Sequence, residues 1–427
     1  MNNKIIKSHL SVRDLSRSEV LDVIRREAII SRSELSDSVS VSRATVSGIV
    51  ADLLAIGLLE EVGVGESTGG RRPIKLCYRP ESRKVVGVVL FNEQVQAALT
   101  DLEGSLLNYL EIPLHGKSPE DMLTTMKEAA EKILEGIPHQ EVLGIGVGAP
   151  GIVNFENGVI EISVSKGWLK GGIQVRSYME EALGFPVYVA NRSRVAALGE
   201  HRSGIGRNVS NLIYVFLGQG IVAGIVIDGN LYLGSGSGAG EIGHVSLDRN
   251  GPLCECGNRG CLEVFASEDG ILALARSQAR KDADGMLPRQ LNGRLDKLTF
   301  DQVIEAAQQG DPSALAVLDD AGTKIGFSVA TLINLFDPEM VVIGGPVGAK
   351  AGDLLLKPVI REAQMRALPR SFQGVQIVTG TLGTKAIAIG AAVLAIKHTP
   401  IDYIFDPPFT HMVQALSETH ARNRIGE

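Results

Sequence analysis

From residue 18 the apolar positions follow a helical spacing. Val20, Leu21, Val23 and Ile24 mark one face of a helix over 18–26. Ser33 opens a second helix with Leu35 and Val39, and Ser40-Val41 turns the chain. Ser42 caps a third helix, whose Val46, Ile49, Val50, Leu53 and Leu54 share a face and whose end is marked by Gly57. The period then changes from helical to two. Residues 58–64 and 74–78 alternate like a β-hairpin around a Gly-rich basic tip, GESTGGRRP. The pattern predicts an N-terminal winged helix-turn-helix over 1–80. In such a head Ser42, Arg43, Thr45 and Ser47 face DNA from the third helix, and Arg71 and Arg72 reach it from the wing. Taken alone, the same pattern also fits a small helical interaction module.

A second pattern begins at residue 84. Three strand-like runs, 85–91, 95–102 and 106–114, precede a helix over 119–135 and a strand over 143–149. The order recurs at 212–218, 221–229 and 231–234, followed by helices and a late strand at 340–345. Two βββ-plus-helix halves predict a duplicated α/β body over 84–397, with a cleft between the halves. Clefts of that kind take small ligands. The segment 398–427, with Pro400, Pro407 and Pro408, reads as an extension without an assigned role. The apolar run 386–396 covers 11 residues between Lys385 and Lys397, whereas a membrane span needs about 20. The start, MNNKIIKSHLSVRD, carries charges throughout and lacks an apolar signal region. The expectation is a cytoplasmic protein without membrane insertion.

Composition sharpens this picture. The 427 residues hold 44% hydrophobic and 21% charged side chains, the balance of a chain that folds around a core. Aromatics, at 4%, are too few for a carbohydrate platform built mainly from stacked rings. The net charge of −7 excludes a surface broadly coated for nucleic acid. Residues 1–80 nevertheless carry 12 Lys/Arg against 10 Asp/Glu, so DNA contact is local to the head. Four cysteines make no disulfide scaffold. Three of them, Cys254, Cys256 and Cys261, fall within eight residues, and His244 precedes them by ten. A Cys₃His set is a usual structural zinc shell. Buried or redox-active thiols are the alternative.

The motifs LIYVFLGQGIVAGIVIDGNLYLGSGSGAGEIGHVSL and CECGNRGCLE, with APG at 149–151, ALGE at 197–200 and LFDPEMVVIGG at 335–345, resemble the ROK family of sugar kinases and sugar-responsive repressors. The head-plus-body order is similar to its repressor branch. The resemblance implies an actin-like, hexokinase-like fold with a sugar site between the lobes. It assigns Asn191, Glu241, His244 and Glu263 to the sugar, with His244 also on the metal. Carboxylates and an imidazole suit vicinal hydroxyls.

Three departures from the family pattern shape the functional expectation. The kinases pair Asn with Asp, and that Asp is the general base, whereas this chain reads Asn191-Arg192. Arg is no base at neutral pH. The kinases' Gly-rich phosphate loop is replaced by Val89-Leu90-Phe91-Asn92-Glu93, and the segment 218–224 is partly degraded. The expected protein is a sugar-responsive DNA-binding repressor, dimeric or tetrameric, that has lost kinase activity. Arg192 joins its effector site as a candidate anion clamp, with pairing to a neighbouring carboxylate as the bland alternative. An active sugar kinase with an accessory head is the runner-up. A regulator whose effector is another protein is a third reading.

Overall fold

A computed structural model describes residues 11–64, 74–162, 169, 171–281, 285–290 and 294–405. The head begins with α1 (Val12–Glu27), so the first helix starts well before residue 18. Ser11 sets that start: its Oγ accepts the Asp14 N–H at 3.1 Å while the Asp14 carboxylate accepts the Ser11 N–H at 2.9 Å. The first turns lack an apolar pattern because polar residues, Asp14, Ser16 and Arg17, take the buried positions there. A short strand β1 (Ile29–Ser31) leads into α2 (Arg32–Ser38), which is capped by Ser31 rather than opened by Ser33. Helix α3 (Arg43–Ala55) has Ser42 as its N-cap, as expected. Strands β2 (Leu59–Val64) and β3 (Ile74–Tyr78) form the wing hairpin. β1 adds to it, giving the order β1-β3-β2. Arg71 and Arg72 lie outside the described residues.

The body has two lobes of like topology. In the first, β4 (Lys84–Phe91), β5 (Gln94–Thr100), β6 (Leu106–Pro113), β7 (Val142–Ala149) and β11 (Val187–Asn191) form a sheet ordered β11-β7-β4-β5-β6. Its outer face is covered by α4 (Pro119–Ile133) and α5 (Val175–Leu183). A small sheet of β8 (Ile152–Asn154), β9 (Val159–Ile162) and β10 (Ile173–Gln174) sits beside it. After α6 (Arg192–Ser203), the second lobe repeats the arrangement. Its strands β12 (Leu212–Leu217), β13 (Ile221–Ile227), β14 (Asn230–Leu231), β15 (Met340–Gly344) and β16 (Gln376–Thr379) run β14-β13-β12-β15-β16. The helices of this half are α7 (Leu262–Ala266), α8 (Glu268–Lys281), α9 (Met286–Gln290), α10 (Phe300–Gln308), α11 (Pro312–Phe336), α12 (Gly345–Ala351), α13 (Asp353–Arg366) and α14 (Pro369–Gln373).

The apolar run near the end is α15 (Lys385–His398). It is buried with α6 between the two sheets. Gly87 and Gly146 let α15 lie directly on the first sheet, because a Cβ there would stand 1.9 and 1.7 Å from the Ala388 and Ala391 carbonyl oxygens. Among the described residues no helix is long and apolar enough to cross a membrane.

The head and the first lobe share one apolar core, in which Val20, Ile24 and Leu58 meet Val85, Leu143 and Ala395. Helix α16 (Ile401–Phe405) completes it with Ile404, so this part of the extension lies against the head. Arg17 pairs with Asp52 of α3 and Asp402 of α16, and its guanidinium lies 4.0 Å from the Phe405 ring centroid. Arg83 donates to the carbonyls of Ile56 (3.2 Å) and Ile404 (3.4 Å). A second cluster joins the head to α6: Glu103 accepts from Tyr78 at 3.0 Å and from Arg202 at 2.5 Å, with Arg25 at 3.4 Å.

Candidate functional site

The parallel strands β4, β7 and β11 of the first lobe end together at one edge of their sheet. Ligands of α/β sheets gather outside such carboxyl ends. β11 ends at Asn191, which caps α6: its Oδ1 accepts the N–H groups of Ser193 (2.9 Å) and Arg194 (3.2 Å), and its Nδ2 donates to the Gly151 carbonyl (2.8 Å). Asn191 therefore fixes the strand-to-helix corner and has one N–H left for a ligand.

Arg192 follows at the start of α6. Its Nη1 donates to the Leu90 carbonyl at 3.0 Å, and its guanidinium carbon lies 5.7 Å from the Phe91 ring centroid. No carboxylate pairs with it among the described residues, so the pairing alternative is not what the structure contains. Burial pushes Arg192 down to about 10, which still leaves it cationic at neutral pH. Leu90 and Phe91 end β4, and Phe91 packs edge-on against Phe216 of the other lobe, at 6.5 Å between centroids. The β4–β5 connection is a two-residue turn, since Phe91 pairs with Gln94. Asn92 takes the left-handed conformation there (φ 56°), and Glu93 pairs outward with Lys117 at 2.7 Å. The turn carries no glycine, and the Glu93 carboxylate on it is unfavourable for a bound phosphate.

From the second lobe come Glu241, His244 and Glu263. Glu241 precedes a turn of 3₁₀ helix, Ile242–His244, and Glu263 lies in the first turn of α7. Glu263 Oε2 accepts the Ile221 N–H at 3.1 Å, at the end of the 218–220 turn. The same oxygen would stand 3.3 Å from a Cβ on Gly243, so Glu263 lies beside the 241–244 segment. Glu241 Oε1 meets Arg194 Nη2 at 2.5 Å, while its side chain stays about a third exposed (35%). Arg194 is 2% exposed and also donates to the Ser237 carbonyl. The sequence reading missed Arg194. The available signal was a second arginine directly before the apolar run Val195, Ala196, Ala197 and Leu198. It holds Glu241 where α6 packs against β13.

His244, Cys254, Cys256 and Cys261 bring their ligand atoms within 4.8 Å of one another. The Cys256–Cys261 sulfur pair and the Cys254 Sγ–His244 Nδ1 pair are each 3.7 Å apart. Zn–S bonds of ~2.3 Å in a tetrahedron give edges of about 3.8 Å, so the donor set fits a structural metal. Burial pushes the Cys261 thiol up to about 12 and raises that of Cys254, while the Asn258 N–H pulls Cys256 down. A metal would displace the thiol protons. Gly257 and Gly260 turn with positive φ (93° and 64°), and a Cβ on Gly260 would lie 1.8 Å from the Asp248 carbonyl oxygen.

In the head, Ser42, Arg43, Thr45 and Ser47 are exposed, while Val46, Ile49, Val50 and Leu53 of the same helix are buried. Ser42 Oγ accepts the Thr45 N–H at 3.2 Å. Arg43 meets Asp37 at 3.3 Å, but both side chains are well exposed, so the pair is weak and the guanidinium is free to change partner.

The ROK family profile matches residues 85–398. The xylose repressor of Caldicellulosiruptor bescii is 31% identical over 91% of this chain and 97% of its own length. A glucokinase of Halalkalibacterium halodurans is 36% identical, but over 72% of this chain and 93% of its own. A solved ROK family transcriptional regulator, described as a homologue of the E. coli Mlc protein, superposes with a TM-score of 0.79 at 27% identity, covering 92% of this chain and 99% of that one.

Proposed function

Because the chain belongs to the ROK family, we propose that it is a sugar-responsive DNA-binding transcriptional regulator, a repressor of carbohydrate-metabolism genes. The observation that carries this reading is a head with an exposed capped helix, packed onto a body whose cleft has a guanidinium where a kinase needs a base. Regulator-type relatives also cover the head, whereas the glucokinase relative covers less of the chain. A positively charged Arg192 takes no proton from a sugar hydroxyl, and the glycine-free β4–β5 turn with its Glu93 carboxylate disfavours a nucleotide phosphate. The body thus binds and does not phosphorylate.

In this reading Ser42, Arg43, Thr45 and Ser47 enter the major groove, and Arg71 and Arg72 of the wing meet the phosphates or the minor groove. One short helix reads few base pairs, so the working species is a dimer or tetramer on two half-sites. The sugar lies between Asn191 and Arg192 on one lobe and Glu241, His244 and Glu263 on the other. His244 Nδ1 and the three thiolates hold zinc, leaving Nε2 for a hydroxyl. When bound, the metal supplies fixed geometry to the loop that carries these groups.

The test is selection of an operator from random DNA with the full-length protein, followed by binding in the presence of neutral sugars and sugar phosphates. Sequence-specific binding that one of these ligands shifts, with no sugar-dependent ATP turnover, is the expected result. ATP turnover well above background without selected DNA binding would establish the kinase alternative.

A further inference from the structure

The four ligands of the metal set are unevenly shielded. Cys254 and Cys261 are buried, at 3% and 0% exposure. Cys256 is exposed, in a turn over 255–259 whose residues all face solvent. The turn is closed by the Gly257 N–H on the Cys254 carbonyl at 2.9 Å and the Cys254 N–H on the Asn258 carbonyl at 2.7 Å. The sulfurs divide into two pairs. Cys254 Sγ faces His244 Nδ1, and Cys256 Sγ faces Cys261 Sγ, each at 3.7 Å. The one outer thiol thus has an inner thiol directly behind it.

The backbone around this pair is stiff on one side and loose on the other. Cys261 is anchored: its Sγ lies 3.5 Å from the His244 carbonyl oxygen, and the next residue, Leu262, donates its N–H to the Val245 carbonyl at 3.0 Å. Gly260 is pressed on the Asp248 carbonyl, whereas nothing lies within 4 Å of a Cβ on Gly257. The outer half of the turn therefore has room to carry Cys256 inward onto Cys261. An accessible thiolate with a resolving thiol beside it is the arrangement that peroxides oxidise to a disulfide. The fourth cysteine, Cys77 of β3, has the Tyr78 carbonyl at 3.7 Å and provides an internal comparison.

We infer that Cys256 is an oxidation site, that Cys261 is its resolving partner, and that hydrogen peroxide converts the loop from a metal-held to a disulfide-held form. The Cys256 thiolate attacks one peroxide oxygen and breaks the O–O bond. Cys256 becomes a sulfenic acid, and the other oxygen takes up a proton and leaves as water. The Cys261 thiolate then attacks the Cys256 sulfur. Its hydroxyl takes up a second proton and leaves as a second water. Two thiolates lose two electrons, and one peroxide is reduced to two waters. The joined sulfurs no longer carry charge for a cation, so two of four ligands are lost and the metal is released. Oxidation thereby unfastens the loop that carries His244. The inference rests on the metal reading of the four ligands and is independent of the sugar and DNA assignments.

The experiment treats the full-length, zinc-loaded protein with hydrogen peroxide and follows the zinc released to a chromogenic chelator. Trypsin cuts after Arg249, Arg259 and Arg276 and so separates Cys256 from Cys261. A bond between them joins the peptides 250–259 and 260–276, and fragmentation of the joined species identifies the sulfurs. Release of about one zinc per chain in step with a Cys256–Cys261 bond is expected, reversed by dithiothreitol and added zinc. Cys77→Ser should change neither. Cys256→His keeps a donor for zinc and removes the outer thiol, so its zinc release should be slower by at least about tenfold. If that variant folds poorly, the bond map of the wild type decides. Zinc release with Cys256 as a sulfinic acid and Cys261 unbonded overturns the inference. So does a Cys254–Cys261 bond, or oxidation of Cys77 before any zinc is released. A protein that takes up no zinc overturns it together with the metal reading.

Discussion

At the residue scale, burial decides which ionisable groups change character. His398 ends α15 with its ring 4.7 Å from that of Phe155 and 5.9 Å from that of Tyr188. Burial, reinforced by Lys397 and Arg176, pushes it down to about 4 from an ordinary 6.5. The folded protein then holds His398 neutral in a range where the unfolded chain protonates it. Its contribution to stability is complete above about pH 6.5 and is lost as the pH falls toward 4, at up to about 1.4 kcal/mol per pH unit. Burial lowers His201 and His139 in the same direction. Urea unfolding at pH 7.5 and pH 5 should therefore show a loss of stability. His398→Phe, which keeps a ring in place, should reduce the slope without abolishing it. An identical slope in the variant would remove His398 from the account. Of the residues singled out beforehand, His244 and the three cysteines were legible as a metal set by type and spacing, whereas Glu241 and Glu263 came from the family resemblance. Arg194 was not, because a charge in an apolar helix gains meaning only from what faces it.

At the element scale, the loop from His244 to Cys261 has almost no regular structure of its own. Its backbone is held by bonds such as Leu247 N–H to Gly260 O at 2.7 Å and Cys254 N–H to Asn258 O at 2.7 Å. A metal held by the four ligand atoms, which lie within 4.8 Å of one another, would supply the remaining constraint. Replacing Cys256 by Ser removes the most exposed thiolate of the set. Elemental analysis should then fall from about one metal per chain toward zero. The thermal midpoint should drop, and sugar affinity should weaken because Glu241 and Glu263 flank the loop. A variant that keeps its metal, or loses it with unchanged sugar binding, would contradict the structural role. Element types were largely readable from periodicity, as with β3, β4 and α3. The start of α1 and the strand β1 were not, since α1 buries polar residues against α16 and β1 exists only as a partner of β3.

At the scale of the whole molecule, the head is anchored rather than tethered. α6 has 12 residues and spans about 18 Å. It begins at the cleft and ends at Arg202, where Glu103 also bonds Tyr78 and lies beside Arg25. The two Arg–Glu103 pairs are partly exposed, so each contributes about 0.2–1 kcal/mol. Glu103→Ala should speed hydrogen exchange across α1 and β3 by about tenfold while the central strands β4, β7, β12 and β15 keep their protection. Unchanged exchange in the head would show that the shared apolar core and α16 hold it without Glu103.

What the sequence determined by itself was local and chemical. Helical and twofold periods marked the winged head and the two βββ repeats, because amphipathic faces must match the period of the element that buries them. The Cys₃His spacing pointed to a metal set, because ligand chemistry belongs to the side chains themselves, and Arg192 stood out only against the Asn-Asp pair of the kinases it resembles. Only the tertiary structure decided which charges meet. It set Arg194 on Glu241, left Arg192 with a carbonyl and a ring, and placed α16 against α1. Those pairings join residues tens to hundreds of positions apart. They depend on how two sheets, a head and a terminal helix pack together, which no local pattern encodes.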